Sequence, residues 1–508
     1  MARDVQRNRE RRTRGGALKQ LPWRNYRNPY KPIEAISADQ IEAIHNASLR
    51  VLEEIGIDFL DEPARARLKA AGANVESGSQ RVRFDRALVH ELVAKTPSEV
   101  TLHSRNPERN LTFGGNHINF GSVASAPNCS DMDGGRRPGK FEDYCNLLRL
   151  CQSLNIVHFI SGYPVEPADL PPLSRHLDAH YAAITLTDRI WHPYSLGRER
   201  IADAIEMMCM ARGIDRDQLA REPSLFSIIN SSSPLRLDGP MLQGMTEMAL
   251  HKQPIVMTPF TLSGAMAPAT IAGALSLQNA EALAGIAYMQ VVMPGCPVMY
   301  GGFTSNVDMK SGAPAFGTPE YVRAALAGGQ LARRYKLPYR SSNACAANAV
   351  DAQAAYESEM STWGAVMGHA NMVMHGAGWM EGGLVASFEK VILDAEILQG
   401  MGEFMQPLVV DADTLAFDAI KEVGPGGHFF GVGHTLERYE TAFYSPILSD
   451  WRNYESWREA GGKTATERAN GIWKQLLADY RPPPLAPERE EALRDYVARR
   501  KEAIAKAA

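Results

Sequence analysis

The side chains best suited to bind a ligand or take part in a reaction stand where short β-type runs are followed by polar or glycine-containing sequence. These eleven residues are Phe120, Tyr163, His192, Tyr194, Asn230, Phe260, Tyr300, Phe303, Asn343, His375 and Trp379. They include no pair of carboxylates of the kind that hydrolyses glycosides, and the chain has neither a Ser-His-Asp order nor a GxSxG motif. Because aromatic ring faces attract cations that cannot donate a hydrogen bond, such a set is suited to binding a quaternary ammonium ion.

A repeated strand-and-helix pattern positions these residues. The predicted strands are 117–126, 157–165, 190–196, 225–231, 255–261, 298–304, 338–343 and 372–376. The predicted helices are 141–154, 174–188, 198–212, 240–251, 269–289, 318–335, 352–368 and 388–402. Eight such units, with no GxGxxG motif after the first strand, favour a (β/α)8 TIM barrel over a doubly wound sheet that shares the alternation. In a barrel the carboxyl ends of the strands meet at one mouth, so the eleven residues are expected to converge there.

The sequence predicts an α/β protein in four parts. Residues 1–36 read as a basic, disordered tail, 37–116 as an α+β prelude, 117–405 as the TIM barrel and 406–508 as a C-terminal extension of helices and a glycine-rich loop. Within the prelude, a helix is predicted over 38–56. Short strands are expected at 68–74, 81–84 and 100–103, around a helix at 86–94.

Composition limits the class of protein. The 508 residues carry a formal net charge of −4, which disfavours a dedicated nucleic-acid binder, although six arginines crowd the first sixteen residues. That run is typical of a solvated tail, with a contact to an acidic partner or to nucleic acid as the alternatives. With no apolar segment of about 20 residues, no secretory signal and only six cysteines, we expect a cytoplasmic protein with reduced thiols and no membrane partner. A homo-oligomer is the default expectation for a barrel of this size.

Other candidate sites give weak signals. His176 and His180 have a spacing that metal ligands use, but no Glu stands between them as in HExxH, and no metal site is predicted. Cys296 and Cys345 read as buried side chains rather than nucleophiles. The GPGGH sequence at 424–428 has no phosphate-binding context, and is read as a structural turn, with a lid or docking loop as the alternative.

Five segments together resemble the trimethylamine methyltransferase family. They are QAAYE at 353–357, HGAG at 375–378, DAE at 394–396, GPGGH at 424–428 and HTL at 434–436. The resemblance runs from about residue 38 to residue 469. It implies a TIM-barrel methyltransferase that works with a corrinoid. Because the chain has no DxHxxG motif of a cobalamin-binding domain, the corrinoid is expected to arrive on a cognate partner protein.

The resemblance also narrows the substrate. Archaeal trimethylamine enzymes of this family carry pyrrolysine, whose position we expect to map to 342–347, and this chain has only standard residues. That makes it similar to the bacterial branch that includes glycine betaine methyltransferases. A quaternary amine leaves as a neutral amine when one methyl is removed, so no proton has to be supplied. Glycine betaine is the first expectation; proline betaine, carnitine, choline or a methylamine are alternatives, as is a non-catalytic protein that binds or senses a quaternary amine.

Position at the strand ends, rather than the family motifs, assigns the substrate contacts. His375 is the first candidate to donate to a substrate carboxylate, with Asn343 and Arg340 behind it. No residue is assigned a catalytic role. In the family motifs, Glu357 and Asp394 are read as structural ion pairs between helices. The rings expected around the methyl groups are Phe120, Tyr163, Phe260, Tyr300 and Phe303, with Trp379 as an alternative wall.

Overall fold

The computed structural model describes residues 18–507, and its centre is a ring of eight short parallel strands. All eight predicted strands form. They are β1 (His117–Ser122), β2 (Phe159–Ile160), β3 (Ile190–Trp191), β4 (Ser227–Ile229), β5 (Ile255–Met257), β6 (Val298–Gly301), β7 (Tyr339–Ser342) and β8 (Met372–Ala377). Each is parallel to its neighbours in chain order, and β8 pairs with β1. A parallel bridge between Trp191 and Leu225 joins β3 to the start of β4, which closes the ring and confirms the TIM barrel.

Eight helices follow the strands on the outside of the ring. They are α1 (Phe141–Ser153), α2 (Arg175–Leu186), α3 (Arg198–Arg212), α4 (Gly239–Leu250), α5 (Ile271–Val292), α6 (Pro319–Tyr335), α7 (Ala352–Met367) and α8 (Phe388–Phe404). Local chemistry sets their ends: Asp238 and Thr318 accept hydrogen bonds from the first turns of α4 and α6, and Gly213 ends α3 at φ 67°.

The barrel interior has a hydrophobic core of its own. Its buried side chains are Phe159, Ile190, Phe226, Val256, Met299, Met372 and Met374. A hairpin of Glu99–Leu102 and Leu111–Gly114 adds four apolar side chains to the same cluster, including Leu102 and Phe113. The hairpin therefore closes the amino-terminal end of the barrel and leaves the carboxyl end for a site.

The N-terminal region differs from the prediction in two places. Residues 62–70 form a helix capped by Asp61, so the strand predicted over 68–74 is wrong except at Asn74, where the short strand Asn74–Val75 begins. The spacing of Ala64 and Leu68 is helical, and both are buried. Residues 18–36 of the predicted tail are also folded. Tyr26–Arg27 pairs with β1, and the Tyr26 side chain is buried, because its ring packs beside Phe120. The arginine run at 3–14 lies outside the described residues.

The remaining elements cover the barrel ends and its outer surface. In the N-terminal region these are helices Ala38–Arg50 and Arg86–Val93, a π-helical turn Val51–Ile55, a 3-10 turn Pro107–Arg109, and strands Ile57–Phe59 and Arg81–Arg83. At the barrel mouth, short strands lie at Asn128–Asp131, Gly135–Pro138, Phe260–Ser263, Phe303–Val307, Pro314–Ala315, Trp379–Met380 and Val385–Ser387, with a 3-10 turn at Glu381–Gly383. Strand Arg236–Leu237 pairs with Ile57–Phe59, and helix Arg216–Arg221 follows α3.

The C-terminal extension wraps back along the barrel. Its helices are Ala412–Leu415, Phe417–Val423, Gly433–Leu436, Tyr454–Glu459, Ala465–Asp479 and Pro487–Ala507. The last helix is held by Asp203 of α3, which accepts hydrogen bonds from Tyr496 and Arg500. No helix within residues 18–507 has both the length and the apolar character needed to cross a bilayer.

Candidate active site at the barrel mouth

A cavity of about 340 Å³ lies at the carboxyl ends of the strands, within the size range of small-molecule sites. Ser125, Leu196 and Asn230 stand on its rim, are exposed, and open it to solvent. None of the described residues that line it is acidic. Its wall contains Ala124, Ser125, Ser161, His192, Tyr194, Ser195, Leu196, Ile228, Asn230, Met241, Thr258, Phe260, Phe303, Arg340, Met374, His375, Trp379 and Gly383.

Four of the eight predicted substrate contacts lie on this wall: Phe260, Phe303, His375 and Trp379. Short strands beyond the ring bring the rings together. Phe260–Ser263 runs parallel to Phe303–Val307 with Phe260 beside Phe303, and the two rings stack with centroids 5.2 Å apart. The Trp379 ring stands edge-on to Phe303 at 5.9 Å and stacks on His375 at 5.1 Å. The result is an aromatic corner at one side of the cavity.

The other four predicted contacts lie behind the wall. Phe120 stacks on His158 beneath the helices, and Tyr300 donates a hydrogen bond to Asn279 of α5. Tyr163 lies behind Tyr194, with ring centroids 4.6 Å apart. Asn343 donates from Nδ2 to the Gly376 carbonyl. Placing these four at the cavity surface was wrong, because successive side chains of a strand point to opposite faces and position along the chain does not fix which one faces in.

A bulge in β8 directs His375 into the cavity. The pairing of β8 with β1 shifts register between Val373 and Ala377, and His375 has a φ of 54°, a conformation that non-glycine residues rarely adopt. Its Nδ1 lies 3.2 Å from Ser342 Oγ. Burial, together with the nearby charge of Arg340, lowers the pKa of His375 well below its usual value, so the imidazole is neutral at pH 7.

Arg340 supplies the positive charge of the cavity. Arg340 is 2% exposed, and its guanidinium carbon lies 5.3 Å from the centre of the Phe303 ring. Nη1 donates to the Gly302 carbonyl at 3.3 Å, but Nε has no hydrogen-bond partner among the described residues. Burial lowers the pKa of Arg340 to about 10, so the group remains charged at pH 7.

Two hydroxyl groups on the wall are also unsatisfied. Ser161 Oγ and Thr258 Oγ1 are buried and have no hydrogen-bond partner within residues 18–507. Buried polar atoms usually find a partner, so three unpaired ones in a single cavity point to a polar ligand. Both hydroxyls directly follow the last residue of a barrel strand, a position that the sequence does indicate, but the predicted strand-end residues include no serine or threonine.

The opposite wall is built from neutral aromatic side chains. His192 donates from Nδ1 to the Ser161 carbonyl (2.9 Å) and accepts at Nε2 from the Ile228 amide (3.0 Å), so both ring nitrogens are occupied and the tautomer is fixed. Burial lowers its pKa to about 4. The Tyr194 hydroxyl bonds Ser125 Oγ at 2.8 Å, and burial raises its pKa to about 12. Neither group carries charge at pH 7.

The other candidate groups have structural surroundings. Asp394 pairs with Lys390 one turn away in α8 and accepts from the Gly378 amide; Glu357 accepts from the Ala346 and Ala347 amides. Their assignment as ion pairs between helices was therefore wrong: one pair lies within a single helix and the other carboxylate binds backbone. Burial raises the pKa values of Cys296 and Cys345 to about 12, which keeps both as thiols.

The two histidines with metal-ligand spacing are buried among the outer helices. His176 bonds Asp203 at 3.0 Å, and His180 packs against Trp191. Across residues 18–507 no group of three or more His, Cys, Asp or Glu side chains is arranged to hold a metal ion.

Comparison with known proteins agrees with this architecture. The sequence model of the family described as trimethylamine methyltransferase (MTTB) matches residues 3–505. A glycine betaine methyltransferase of Desulfitobacterium hafniense (strain Y51) is 38% identical over 92% of this chain and 96% of its own. A trimethylamine methyltransferase MttB of D. hafniense (strain DSM 10664 / DCB-2) is 28% identical over 92% and 93%. The crystal structure of a hydroxylamine complex of MtmB has a TM-score of 0.50 at 11% identity, over 87% and 89%, which supports the shared fold.

Proposed function

Because this chain belongs to the trimethylamine methyltransferase family, we propose that it removes a methyl group from glycine betaine and delivers it to the Co(I) centre of a corrinoid carried by a separate protein. The proposal needs a site that binds a permanent cation and a carboxylate in the same molecule. It also needs a route by which a large cofactor can reach that cation from outside.

The observation that carries the choice of substrate is the buried, unpaired Arg340. A guanidinium in a cavity without acidic side chains repels a simple cation such as choline or tetramethylammonium. A betaine brings its own carboxylate, which can accept from Arg340 Nε and cancel the buried charge. Thr258 Oγ1 offers a further donor on the same wall. The site therefore favours a zwitterion over a cation or a neutral methylamine.

The aromatic corner suits the other end of the substrate. A trimethylammonium group has no N–H to donate, so its attraction to the protein comes from ring faces and from apolar contact. Phe260 and Trp379 line the same cavity as Arg340. The imidazoles of His192 and His375 are neutral, so they add no positive charge that would oppose binding of the ammonium group.

Catalysis in this site is mainly orientation. The leaving dimethylglycine is neutral at nitrogen once the methyl group departs, so no general acid is required, and this fits a cavity without Asp or Glu. Arg340 and the aromatic corner would hold the C–N bond in one direction. The reduced corrinoid supplies the nucleophile for this methyl transfer.

The mouth fits a cofactor that arrives on a partner. The cavity opens to solvent at Ser125, Leu196 and Asn230, all exposed, and buried residues form its floor. Under this proposal the corrinoid of the partner protein reaches the bound substrate through that opening.

The experiment is methylation of cob(I)alamin by the purified protein, followed by the loss of the Co(I) spectrum and the growth of methylcobalamin. Glycine betaine would be compared with proline betaine, carnitine, choline, tetramethylammonium and trimethylamine. We expect turnover with glycine betaine and none with choline or trimethylamine. If cobalamin is methylated faster by another carboxylated quaternary amine, that amine would replace glycine betaine as the proposed methyl donor. Calorimetric binding of betaine without methylation, even when the native corrinoid protein is present, would support a sensor instead.

A further inference from the structure

A second cavity, of about 450 Å³, lies at the amino-terminal end of the barrel. Lys336 stands on its rim, immediately after α6 ends and before β7 begins, so this cavity is at the opposite end of the barrel from the mouth. Helices Ala38–Arg50 and Arg86–Val93 form one side of it, and α5 and α6 form the other. Its volume is within the range of small-molecule sites.

The second cavity is lined by basic side chains, and none of the described residues that line it is acidic. The basic residues are His45, His90, Arg334 and Lys336. Arg334 is already paired, because it donates from Nε and Nη2 to the nearby carboxylate of Glu42 at 2.6 and 2.7 Å. Lys336 is exposed on the rim and is not one of the lysines that form ion pairs within residues 18–507. It therefore supplies the uncompensated charge of the cavity.

Two buried side chains in the same wall have donors to offer. Thr96 is 8% exposed, and its Oγ1 has no hydrogen-bond partner within residues 18–507. His45 is 2% exposed, and its Nδ1 lies 2.7 Å from the Tyr335 hydroxyl. That hydroxyl accepts from Asn279 and, in the described part of the chain, has only His45 Nδ1 to receive its own proton, so the ring proton of His45 stands on Nε2. Burial lowers the pKa of His45 to about 4, which keeps the ring neutral and Nε2 a donor at pH 7.

This combination suits a compact organic anion. A carboxylate or phosphate group can accept from Thr96 Oγ1 and His45 Nε2 while it lies near the charge of Lys336. Val93 and Leu283 add buried apolar surface, which an inorganic ion would leave unused and which the body of an organic molecule can contact. The basic rim repels a free cation such as choline.

A chain of side-chain hydrogen bonds joins the second cavity to the aromatic corner at the mouth. Thr304, at its far end, directly follows Phe303 and also bonds Thr261, which directly follows Phe260. A ligand that accepts from His45 thus acts at one end of a chain whose other end adjoins both stacked rings. In order from the cavity, its members are His45, Tyr335, Asn279, Tyr300, Gln278 and Thr304.

We propose that the second cavity binds a compact organic anion, and that this anion is an effector of the substrate site at the barrel mouth. The effector role rests on the proposed function, because it requires betaine to bind at the mouth. The anion site itself does not. If the two sites are coupled, the anion and betaine change each other's affinity by the same factor.

The anion site is tested first, with 4-bromobenzoate soaked into crystals of the full chain, where anomalous diffraction locates the bromine. We expect bromine in the second cavity. Its absence there, or its presence only at the barrel mouth, would overturn the proposal.

Calorimetry with benzoate tests the same site in solution, on Arg340→Gln protein so that the cation of the mouth does not contribute. Thr96→Val should weaken binding roughly tenfold or more, and Lys336→Gln roughly 2- to 5-fold. The matched control is Lys252→Gln, at another exposed lysine with a left-handed backbone after a barrel helix; φ is 52° at Lys252 and 56° at Lys336. Neutral benzamide should bind more weakly than benzoate. Equal binding of the two ligands, or equal losses in the two lysine variants, would contradict an anion site.

The effector role is tested by the dissociation constant of glycine betaine with and without saturating benzoate. In the unmodified chain we expect a change of about fivefold or more. Tyr335→Phe, which removes the hydroxyl between His45 and Asn279, should abolish the change, and so should Thr96→Val at the same benzoate concentration. A change that persists in Thr96→Val would mean that benzoate competes at the mouth, which would refute the effector role. A chain that does not bind betaine at all would refute the proposed function and the effector role together, but not an anion site already located by bromine.

Discussion

The guanidinium of Arg340 lies over the ring of Phe303, with 5.3 Å between the guanidinium carbon and the ring centre. A typical buried arginine instead has a carboxylate beside its guanidinium. Here the ring replaces the carboxylate, and Phe260 stacks on that ring in turn. A fixed cation and an aromatic surface thus stand side by side, which is the complement of a molecule with a carboxylate and a quaternary ammonium group.

Replacing Arg340 should weaken recognition of the substrate carboxylate without weakening recognition of its ammonium group. We expect Arg340→Gln to weaken glycine betaine binding by about 1.5–3 kcal/mol, roughly 10- to 150-fold, because a hydrogen bond to a charged group is lost. Tetramethylammonium binding should be unchanged or tighter, since a repelling charge is removed. Isothermal calorimetry with both ligands measures this. Arg333→Gln, at a half-buried arginine at the other end of the barrel, is the matched control. Equal losses for both ligands would refute the carboxylate role.

His375 should contribute less than Arg340. If the Ser342 hydroxyl donates to Nδ1, the proton lies on Nε2, which is then free to donate to the carboxylate. A neutral donor contributes about 0.5–1.5 kcal/mol, so His375→Ala should weaken betaine binding roughly 2- to 12-fold and tetramethylammonium binding less. The same calorimetric series ranks the two residues. A larger loss for His375→Ala than for Arg340→Gln would restore His375 as the principal carboxylate contact.

Betaine affinity should depend on pH only at the alkaline end. Arg340 attracts a carboxylate while it is protonated, and its pKa is lowered to about 10, so affinity should fall as pH rises through that value. Between pH 6 and 9 the affinity should be constant, because His192, with a pKa near 4, and His375 are already neutral. Dissociation constants from pH 6 to 10.5, on protein shown to remain folded, test this. A transition near pH 6.5 would mean that a protonated imidazole takes part.

The aromatic corner should recognise charge as well as shape. The ligand 3,3-dimethylbutanoate has the outline of glycine betaine with carbon in place of the ammonium nitrogen. Betaine should bind more tightly than this analogue. Phe260→Leu or Trp379→Leu should reduce the difference in binding free energy between the two ligands by about 0.5–2 kcal/mol, which is a roughly 2- to 30-fold change in the ratio of their dissociation constants. Phe120→Leu, at a buried ring behind the wall, should leave the ratio unchanged. If both ligands lose affinity equally in the wall variants, the rings contribute apolar contact only.

The buried ion pair of α8 should matter for stability. Lys390 and Asp394 have fully buried side chains, and Lys390 also donates to Ser358 of α7 at 2.6 Å. Lys390→Met leaves the Asp394 carboxylate without its counter-charge, and we expect a loss of about 3–5 kcal/mol in the free energy of unfolding. Chemical denaturation measures it. Lys506→Met removes an exposed Lys–Glu pair of the last helix and should leave that free energy unchanged. Similar midpoints for both variants would contradict the expectation.

The sequence located the eight barrel strands because each is a short apolar run between helical patterns. It could not say which side chains face the cavity. Tyr300 and Phe303 lie three residues apart, a separation that puts them on opposite faces of an extended chain; Tyr300 is buried against α5 and Phe303 lines the wall. Alternation predicts that one of the two faces the cavity, but it does not say which.

The sequence by itself determined the barrel, its order of units and a mouth rich in rings and poor in acids, because these depend on local apolar patterns and on composition. The tertiary structure alone decided the charge of the site. Arg340 stands in a strand like any other polar residue in the sequence, and only the closed ring places it beside Phe303 with no acidic partner. His375 likewise lies at the cavity because of a bulge in β8, which the local sequence pattern does not predict. Both outcomes arise from contacts between strands that are distant in the chain, which local sequence does not encode.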